Sequence, residues 1–190
     1  MKLIFATYNP HKLFEIRNAL GHKYTVEGLS DLNEKEIPET GNTIEENSLI
    51  KANYIFKKYH KACFSDDTGL EVSTLNNEPG IFSARYAGSG NNEDNMNLLL
   101  KNLAGQKNRK AKFKTVITFF NEKGKSFVFE GIVHGKIALK KKGTEGFGYD
   151  PIFEPNGFKE TFAQMPLHQK NKISHRGIAL RKFLAHLTSQ

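Results

Sequence analysis

Two neighbouring carboxylates, Asp66 and Asp67, directly follow a short apolar run in the first half of the chain. That run, Ala62 to Ser65, is typical of a buried β-strand. Adjacent carboxylates repel each other, so burying the pair is unfavourable unless a cation lies close by. Mg²⁺ would relieve the repulsion, because it prefers oxygen ligands and binds through one or two carboxylates together with substrate phosphates. An acidic turn, for which Asp-Thr-Gly is also suited, is the alternative that the residues leave open.

Glu39 lies earlier in the chain, just before a predicted helix, and is a further carboxylate that could act as a second metal ligand. Thr43 is predicted to open that helix, with Glu46 as its partner in a capping box. Lys51 falls on the first turns of the same amphipathic helix. From its position alone, Lys51 is predicted to be solvated at the helix surface.

A candidate anion site lies at Thr7, Asn9 and Lys12, where the first apolar strand is followed by a helix. Asn9 is predicted to be the N-cap and Pro10 the first helical residue, with Gly21 ending the helix. The free N–H groups and the dipole at a helix start attract an anion, and Lys12 adds a full positive charge. Because the segment lacks the glycine-rich pattern of a P-loop, plain helix capping beside a surface lysine is the alternative.

A glycine-rich loop, Gly146 to Pro151, carries aromatic residues that could hold a planar base. Stacking of a base on an aromatic ring such as Phe147 contributes roughly 1–3 kcal/mol. Asp150 could accept a hydrogen bond from a base N–H or a sugar hydroxyl. The alternative is an ordinary glycine loop with Phe147 turned inward.

Two basic residues stand at the start of the last predicted helix. Ser174 is the expected cap, which places His175 and Arg176 in the first turn. Basic side chains there oppose the helix dipole and lower stability unless an acceptor-rich ligand compensates. A basic surface without a ligand is the alternative.

The predicted elements form an α/β fold with a long mixed central β-sheet flanked by helices. Strands alternate with helices early in the chain, and the period then changes to two in Phe113 to Phe119 and Phe127 to Gly131. This change predicts an antiparallel hairpin. Motifs at strand-to-helix junctions of such a sheet converge on a cleft. Residues 1–190 are expected to form a single domain.

Composition narrows the classes of partner. The formal net charge of +8 and a pI near 9.4 suit a polyanion, either a nucleic acid or a small polyphosphate. Cys63 is the single cysteine and is interpreted as a small buried hydrophobe. No apolar window approaches the roughly 18 residues of a membrane span. The apolar N-terminal run is too short for a signal peptide, so no membrane association and a cytoplasmic location are expected.

The motifs together resemble those of the inosine triphosphate pyrophosphatases, also called XTP/dITP or non-canonical purine NTP pyrophosphatases. The resemblance runs from Leu3 nearly to the C-terminus. It is carried by six ordered motifs: Phe5 to Asn9 with Lys12, Glu46-Asn47 with Lys51-Ala52, Ser65 to Leu70, Pro79 to Tyr86, Gly146 to Pro151, and Ser174 to Arg176.

This resemblance implies two lobes around the central sheet with the active-site cleft between them, a homodimer and a Mg²⁺ requirement. It implies hydrolysis of ITP, dITP and XTP to the monophosphate and pyrophosphate, which cleanses the nucleotide pool and prevents incorporation into DNA and RNA. No stable nucleic-acid partner is expected.

The resemblance also implies a role for particular residues. Glu39 and Asp67 would hold the metal, and Asp67 would accept the proton of the attacking water. The triphosphate would be cradled by Thr7, Tyr8, Asn9, Pro10, His11 and Lys12. Contacts to the phosphates or sugar would come from Lys51, Thr68 and Arg85. The base would be enclosed by Phe147, Gly148, Tyr149, Asp150, Lys172, His175 and Arg176.

One residue departs from the family pattern, which usually has glycine where this chain has Tyr8. If that glycine serves close backbone approach to phosphate, Tyr8 would weaken binding or turn the loop. Thr7, Asn9 and Lys12 remain, so the anion site is expected to survive.

Two other functions remain as alternatives. A basic nucleic-acid-binding protein would explain the net charge and the aromatic hairpin, although the acidic pair and Glu39 count against it. A related pyrophosphatase acting on pyrimidine or modified nucleotides would carry much the same site.

Overall fold

The computed structural model describes residues 1–189, which form five α-helices and seven β-strands. The helices are α1 (Pro10–Leu20), α2 (Ile44–Tyr59), α3 (Asn92–Asn102), α4 (Leu167–Ile173) and α5 (His175–Thr188). The strands are β1 (Lys2–Phe5), β2 (Thr25–Gly28), β3 (Cys63–Val72), β4 (Pro79–Gly80), β5 (Lys110–Phe120), β6 (Ser126–Ile137) and β7 (Phe153–Pro155).

The strands form one mixed sheet in the order β2-β1-β3-β5-β6-β7, with β4 paired to β3. β1 pairs in parallel with both β2 and β3, whereas β6 and β7 are antiparallel. β5 and β6 are neighbours joined by a tight turn, in which the N–H of Asn121 donates to the carbonyl of Lys125 at 3.0 Å. The predicted α/β class, the mixed sheet flanked by helices and the late hairpin are confirmed.

The chain divides into two compact units. The first comprises residues 1–67, 115–130 and 179–189, and the second comprises residues 68–114 and 131–178. Because β3 crosses from one to the other, the consecutive residues Asp67 and Thr68 belong to different units.

Stacked aromatic rings form much of the core of the first unit. Phe5 of β1 stacks on Phe64 of β3 with centroids 4.5 Å apart, and Phe64 also contacts Phe183 of α5 at 5.0 Å. Each such ring, fully buried, stabilises the unit by about 1.5–3 kcal/mol. Cys63 is buried in a second apolar cluster of this unit, with Ile4 and Ala52, and burial raises the pKa of its thiol to about 12. The interpretation of Cys63 as a small buried hydrophobe is therefore confirmed.

The second unit has a separate apolar core. Phe113 of β5 contacts Phe153 of β7, with ring centroids 4.7 Å apart. Its other fully or nearly buried members include Leu70, Val72, Met96, Leu99, Leu103, Ile152, Phe162 and Met165. This core fixes the positions of the loops and helix ends that carry the candidate base-binding residues.

β3 is longer than the sequence predicts. The strand was expected to stop at Ser65, with Asp66 to Gly69 as the segment that follows, but it continues to Val72. The alternative of an acidic turn at these residues is therefore wrong. Asp66 and Asp67 lie inside a strand and are buried at 1% and 5% relative exposure, which is tolerable only because lysines pair with them.

Helix α4 was not predicted from the sequence. It has seven residues, mostly polar, and is too short to show a clear apolar period. Among the described residues, no helix is both long and apolar enough to cross a membrane.

Candidate active site

A first group of candidate site residues lies at the start of α1, in the first unit. The Asn9 side chain accepts hydrogen bonds from the N–H groups of His11 and Lys12 at 2.9 and 3.2 Å, and Pro10 is the first helical residue. Thr7 Oγ1 accepts from the N–H of Asn9 at 3.2 Å. The predicted N-cap at Asn9 is therefore confirmed.

Three members of the predicted phosphate cradle are exposed at this helix start: Tyr8, Pro10 and His11. The backbone of Tyr8 is not among the described residues with positive φ. The conformation of the loop therefore gives no reason for glycine at position 8, and the Tyr8 ring projects outward with about half of its surface exposed.

Lys51 of α2 holds two carboxylates together. Its Nζ lies 2.6 Å from Glu39 Oε1 and 3.3 Å from Asp67 Oδ1. Lys51 is buried, so the prediction of a solvated surface lysine, made from position alone, is wrong. The reason is tertiary: α2 packs beside β3 and turns this position toward two buried acids, which repay the cost of burying an ammonium group.

A second ion pair lies next to the first. Lys12 Nζ donates to Asp66 Oδ1 at 2.9 Å, and the Asp66 side chain is fully buried. Two lysines and three carboxylates thus form one cluster, in which each acid of the pair at the centre of β3 has its own cation. The pairing of Asp66 with Lys12 was not predicted from the sequence.

The charges of this cluster shift the pKa of its carboxyl groups in opposite directions. Burial raises the pKa of Asp67 to about 6, and the positive charges of Lys51 and Lys12 only partly oppose it. For Glu39, burial also acts to raise the pKa, but the charge and hydrogen bond of Lys51, with Lys12, outweigh it and the pKa is lowered. Asp67 is therefore the member of the pair that takes up a proton near neutral pH.

Buried hydroxyls hold α2 against the strands beneath the cluster. Ser48 Oγ lies 3.1 Å from Ser65 Oγ of β3 and donates to Thr118 Oγ1 of β5 at 2.9 Å. Ser65 in turn donates to the backbone carbonyl of Ser48. Since these groups are buried, a shift of α2 along the sheet would leave polar atoms unpaired. The network therefore fixes the register that places Lys51 at Asp67.

The second unit contains a buried ion pair within the glycine-rich loop. Asp150 Oδ2 accepts from the N–H of Phe147 and from Lys170 Nζ, both at 2.8 Å, and Asp150 and Lys170 are buried. Gly146 has φ +76°, and a Cβ there would lie 2.1 Å from Asp150 Oδ2. Glycine is thus required at position 146 for the loop to close over its own carboxylate.

Two cations lie over the Phe147 ring. Lys170 Nζ is 5.2 Å and Arg176 Cζ is 5.3 Å from its centroid. Arg176 also approaches Thr68 Oγ1 at 3.5 Å, a weak hydrogen bond. The Phe147 ring is half-buried.

The start of α5 is built as predicted. Ser174 Oγ accepts from the N–H of Gly177 at 3.1 Å, and α5 begins at His175. The His175 ring stacks on Phe113 at 4.4 Å, and both His175 and Arg176 are buried. They are not a basic surface, so that alternative is wrong.

The remaining predicted residues of the second unit differ in exposure and in their contacts. Tyr149 is buried in the apolar core and its hydroxyl donates to the carbonyl of Ser83, so its side chain supports the loop. Arg85 is exposed and packs over Phe82. Lys172 is exposed near the end of α4, whereas Lys170 of the same helix, which sequence analysis missed, is the lysine buried beside Asp150.

These groups can perform two kinds of binding. The first unit offers hard carboxylate oxygens for a cation, together with a helix start and two lysines for anionic oxygens. The second unit offers an aromatic face with cationic donors beside it, which suits a planar ring that carries hydrogen-bond acceptors. The chain is thus an α/β protein in which one unit carries groups suited to a cation and anionic oxygens, and the other carries groups suited to a planar ring.

The chain belongs to the Ham1 family, whose model matches residues 3–186. It is 52% identical to a dITP/XTP pyrophosphatase from Flavobacterium johnsoniae over 191 residues, covering 100% of this chain and 99% of that protein. Among solved structures it is similar to the Ham1 protein of Staphylococcus aureus, with a TM-score of 0.90 and 39% identity over 100% of this chain and 99% of that one. It is also similar to a HAM1 protein from Coxiella burnetii, with a TM-score of 0.91 and 34% identity over 100% of both chains.

Proposed function

We propose that this chain is a Mg²⁺-dependent nucleoside-triphosphate pyrophosphatase that hydrolyses dITP, XTP and ITP to the monophosphate and pyrophosphate. The observation that carries the proposal is the Lys51 ammonium group held by Glu39 and Asp67, with Lys12 and Asp66 beside it. The name of the Flavobacterium relative supports the substrate class. Such an enzyme would remove non-canonical purines from the nucleotide pool.

The donors of this cluster fit Mg²⁺. Glu39 Oε1 and Asp67 Oδ1 both approach one cationic nitrogen, so two hard oxygen ligands already converge on a positive centre. Residues 1–189 contain no group of three or more His, Cys, Asp or Glu side chains that could hold a metal. Mg²⁺ does not require one, because it binds through one or two carboxylates plus phosphates and water. When bound, Mg²⁺ would neutralise charge on the phosphates and orient the attacking water.

The residues of the first unit would act on the triphosphate. The dipole at the start of α1 and the side chains of Thr7 and Lys12 attract anionic oxygens. Asp67 accepts the proton of the attacking water, a role suited to a carboxyl whose burial raises its pKa to about 6. Lys51 supplies positive charge where negative charge accumulates during the reaction.

The residues of the second unit would hold the purine. The ring of Phe147 offers a stacking surface, while Lys170 and Arg176 provide donors beside it. Hypoxanthine and xanthine carry a keto oxygen at position 6, which accepts from these donors, whereas adenine presents an amino group there. His175 joins this group, and Thr68 and Arg85 are assigned to the phosphates or sugar.

We further propose a homodimer in which residues 79–86 and the hairpin edge contribute to the interface. Phe82, in that segment, has 52% of its surface exposed, and large exposed apolar side chains favour association. Light scattering at micromolar concentration is expected to give twice the chain mass. A monomer mass would contradict the dimer and leave the proposed reaction unaffected. Residues 1–190 are proposed to act as one functional domain.

A substrate panel tests the proposed function. The protein is incubated with Mg²⁺ and dITP, XTP, ITP, dATP, GTP or dUTP, and kcat/KM is measured for each. We expect kcat/KM for the first three to exceed that for dATP, which lacks the 6-keto acceptor, by orders of magnitude. Guanine also carries a 6-keto group, so the lower value that we expect for GTP requires exclusion of its 2-amino group, for which the loop Phe147 to Asp150 is the candidate. Preference for dUTP or another pyrimidine would instead favour the related pyrophosphatase. Tight, salt-dependent binding of long RNA without hydrolysis would favour the nucleic-acid-binding alternative.

A further inference from the structure

The loop that carries Glu39 is anchored to α2 by a buried side chain with no assigned role. Asn47 is fully buried, and its Oδ1 accepts the N–H of Gly41 at 2.8 Å. Gly41 lies only two residues after Glu39. We propose that Asn47 is a positioning residue, which holds the Glu39 carboxylate in place through this hydrogen bond. The inference rests on the proposed function, because it takes Glu39 as a metal ligand.

The contact between the loop and the helix is unusually close at this point. A Cβ on Gly41 would lie 2.7 Å from Glu46 Cβ and 2.9 Å from Asn47 Oδ1. Gly41 has no positive φ, so glycine is needed here for close approach and not for backbone conformation. The loop is thus seated directly on the first turn of α2.

Asn47 holds this loop through its side-chain oxygen, while its amide nitrogen makes no compensating hydrogen bond in the described residues. Its Nδ2 is buried and has no hydrogen-bond partner within residues 1–189. Turning the amide over would not help, because Nδ2 cannot accept the N–H of Gly41. A buried donor without a partner costs stability, and an apolar residue would avoid that cost. The acceptor at Oδ1 is therefore the property for which asparagine is needed.

Two further contacts hold this loop. Glu46 Oε2 accepts the N–H of Asn42 at 2.6 Å, next to the Asn47 contact, whereas the contact made by Lys51 cannot be relied on when a metal binds. Lys51 lies one helical turn after Asn47 on the same face of α2 and pairs with Glu39 at 2.6 Å. A metal ion that binds Glu39 competes with Lys51 for the same carboxylate. The Asn47 contact involves only the backbone of the loop, so it persists when the ion pair is exchanged.

Asn95 provides a matched comparison in the second unit. It is also a buried helical asparagine whose Oδ1 accepts a loop N–H, that of Ala87, at 2.7 Å. Its amide nitrogen donates to the carbonyl of Ala84 at 3.1 Å. Asn95→Ala therefore removes a similar loop anchor in the other unit and reports the general effect of losing one.

The experiment measures binding of Mn²⁺, as a probe for the metal, by electron paramagnetic resonance in Asn47→Ala, Glu39→Gln, the double variant and Asn95→Ala. Loss of a group that orients a metal ligand typically lowers affinity by about 10–100-fold, and we expect Asn47→Ala to fall in this range. In the Glu39→Gln background, Asn47→Ala should have no further effect, because the ligand it positions is gone. Asn95→Ala should bind Mn²⁺ as the wild type does. Hydrogen exchange of the Gly41 amide should accelerate in Asn47→Ala.

The outcomes distinguish the proposed role of Asn47 from the proposed metal site at Glu39. Weakened binding in Glu39→Gln with wild-type binding in Asn47→Ala overturns the role of Asn47 alone. Additive losses in the double variant also overturn it, since Asn47 would then act independently of Glu39. Unchanged binding in Glu39→Gln overturns the metal site of the proposed function. If Asn47→Ala does not fold, Gly41→Ala breaks the same contact from the loop side and is expected to weaken Mn²⁺ binding in the same way.

Discussion

Asp67 is subject to two opposing electrostatic effects, and its proposed chemistry depends on their balance. Burial raises its pKa to about 6, while Lys51 and Lys12 hold it low enough to ionise near neutral pH. Asp67→Asn keeps the shape but removes the charge and the base. We predict that kcat for dITP falls by about 10²–10⁴-fold, which is the usual contribution of general-base catalysis.

Glu71→Gln makes the same chemical change in the same strand and is the control for Asp67→Asn. Glu71 pairs with Lys112 and has no proposed role in the reaction, so this variant should retain wild-type kcat. Near wild-type kcat in Asp67→Asn at saturating Mg²⁺ would assign proton transfer to another residue.

The raised pKa of Asp67 also predicts how stability depends on pH in the metal-free protein. The folded state binds this proton more tightly than the unfolded state, whose carboxyl has the ordinary pKa of 3.8. The contribution of Asp67 to the free energy of unfolding is therefore complete below about pH 4 and is lost as the pH rises through about 6, by up to about 3 kcal/mol. Denaturant unfolding of wild type and Asp67→Asn should show the variant gaining relative stability across this interval. A difference that stays constant from pH 4 to 7 would contradict the shift.

Arg176 is predicted to read the base. Its guanidinium group lies over Phe147 and can only donate hydrogen bonds, so it suits a 6-keto oxygen and not a 6-amino group. Arg176→Ala should lower kcat/KM for ITP more than for ATP and so narrow the preference, which can reach about 10⁴–10⁵-fold in sites of this kind. Arg181→Ala, on the exposed side of the same helix, should leave the preference unchanged. Equal losses on both substrates would mean that Arg176 binds phosphate or supports structure.

Single residues differ in how well the sequence predicts their surroundings. The capping roles of Asn9 and Ser174 follow from local chemistry and are confirmed. The burial of Lys51 depends on the packing of α2 beside β3, which no local pattern contains. Lys170 was missed because it lies on a helix that was not predicted; Lys172, two residues later, points to the opposite side of that helix.

At the scale of elements, the glycine loop between β6 and β7 depends on one close contact. Gly146 and Gly148 both have positive φ, at +76° and +63°, but only a Cβ at position 146 would collide with Asp150. Gly146→Ala and Gly148→Ala therefore share the backbone strain of about 1–2 kcal/mol, and the first adds a clash. We predict that KM for dITP rises more in Gly146→Ala than in Gly148→Ala. Equal values of KM in the two variants would show that the Asp150 contact does not shape the base site.

Elements whose boundaries depend on local signals were predicted well. α1 begins at Pro10, and Gly21 caps its end, because Asn9, Pro10 and Gly21 each act locally on the helix end at which they lie. β3 was predicted too short because its second half reads Asp-Asp-Thr-Gly, which favours turns when considered alone. Pairing with neighbouring strands and lysines overrides that local preference.

At the scale of the molecule, the fold class followed from the change of hydrophobic period along the chain. The alternation of strands and helices early in the chain predicted the parallel part of the sheet. The hydrophobic period of two later in the chain predicted the hairpin β5–β6. The order of the strands could not be predicted, and the division into two lobes was expected only from the family resemblance, because both depend on contacts between residues far apart in sequence. The candidate site draws on the same long-range contacts, such as Lys12 with Asp66.

The most direct test of the proposed function identifies the products of dITP hydrolysis. The purified protein is incubated with Mg²⁺ and dITP, and phosphorus NMR follows the reaction until a small fraction of substrate is consumed. We predict equal amounts of dIMP and pyrophosphate, because the proposed reaction cleaves the bond between the α- and β-phosphates. Formation of dIDP and orthophosphate as the main products would contradict the account.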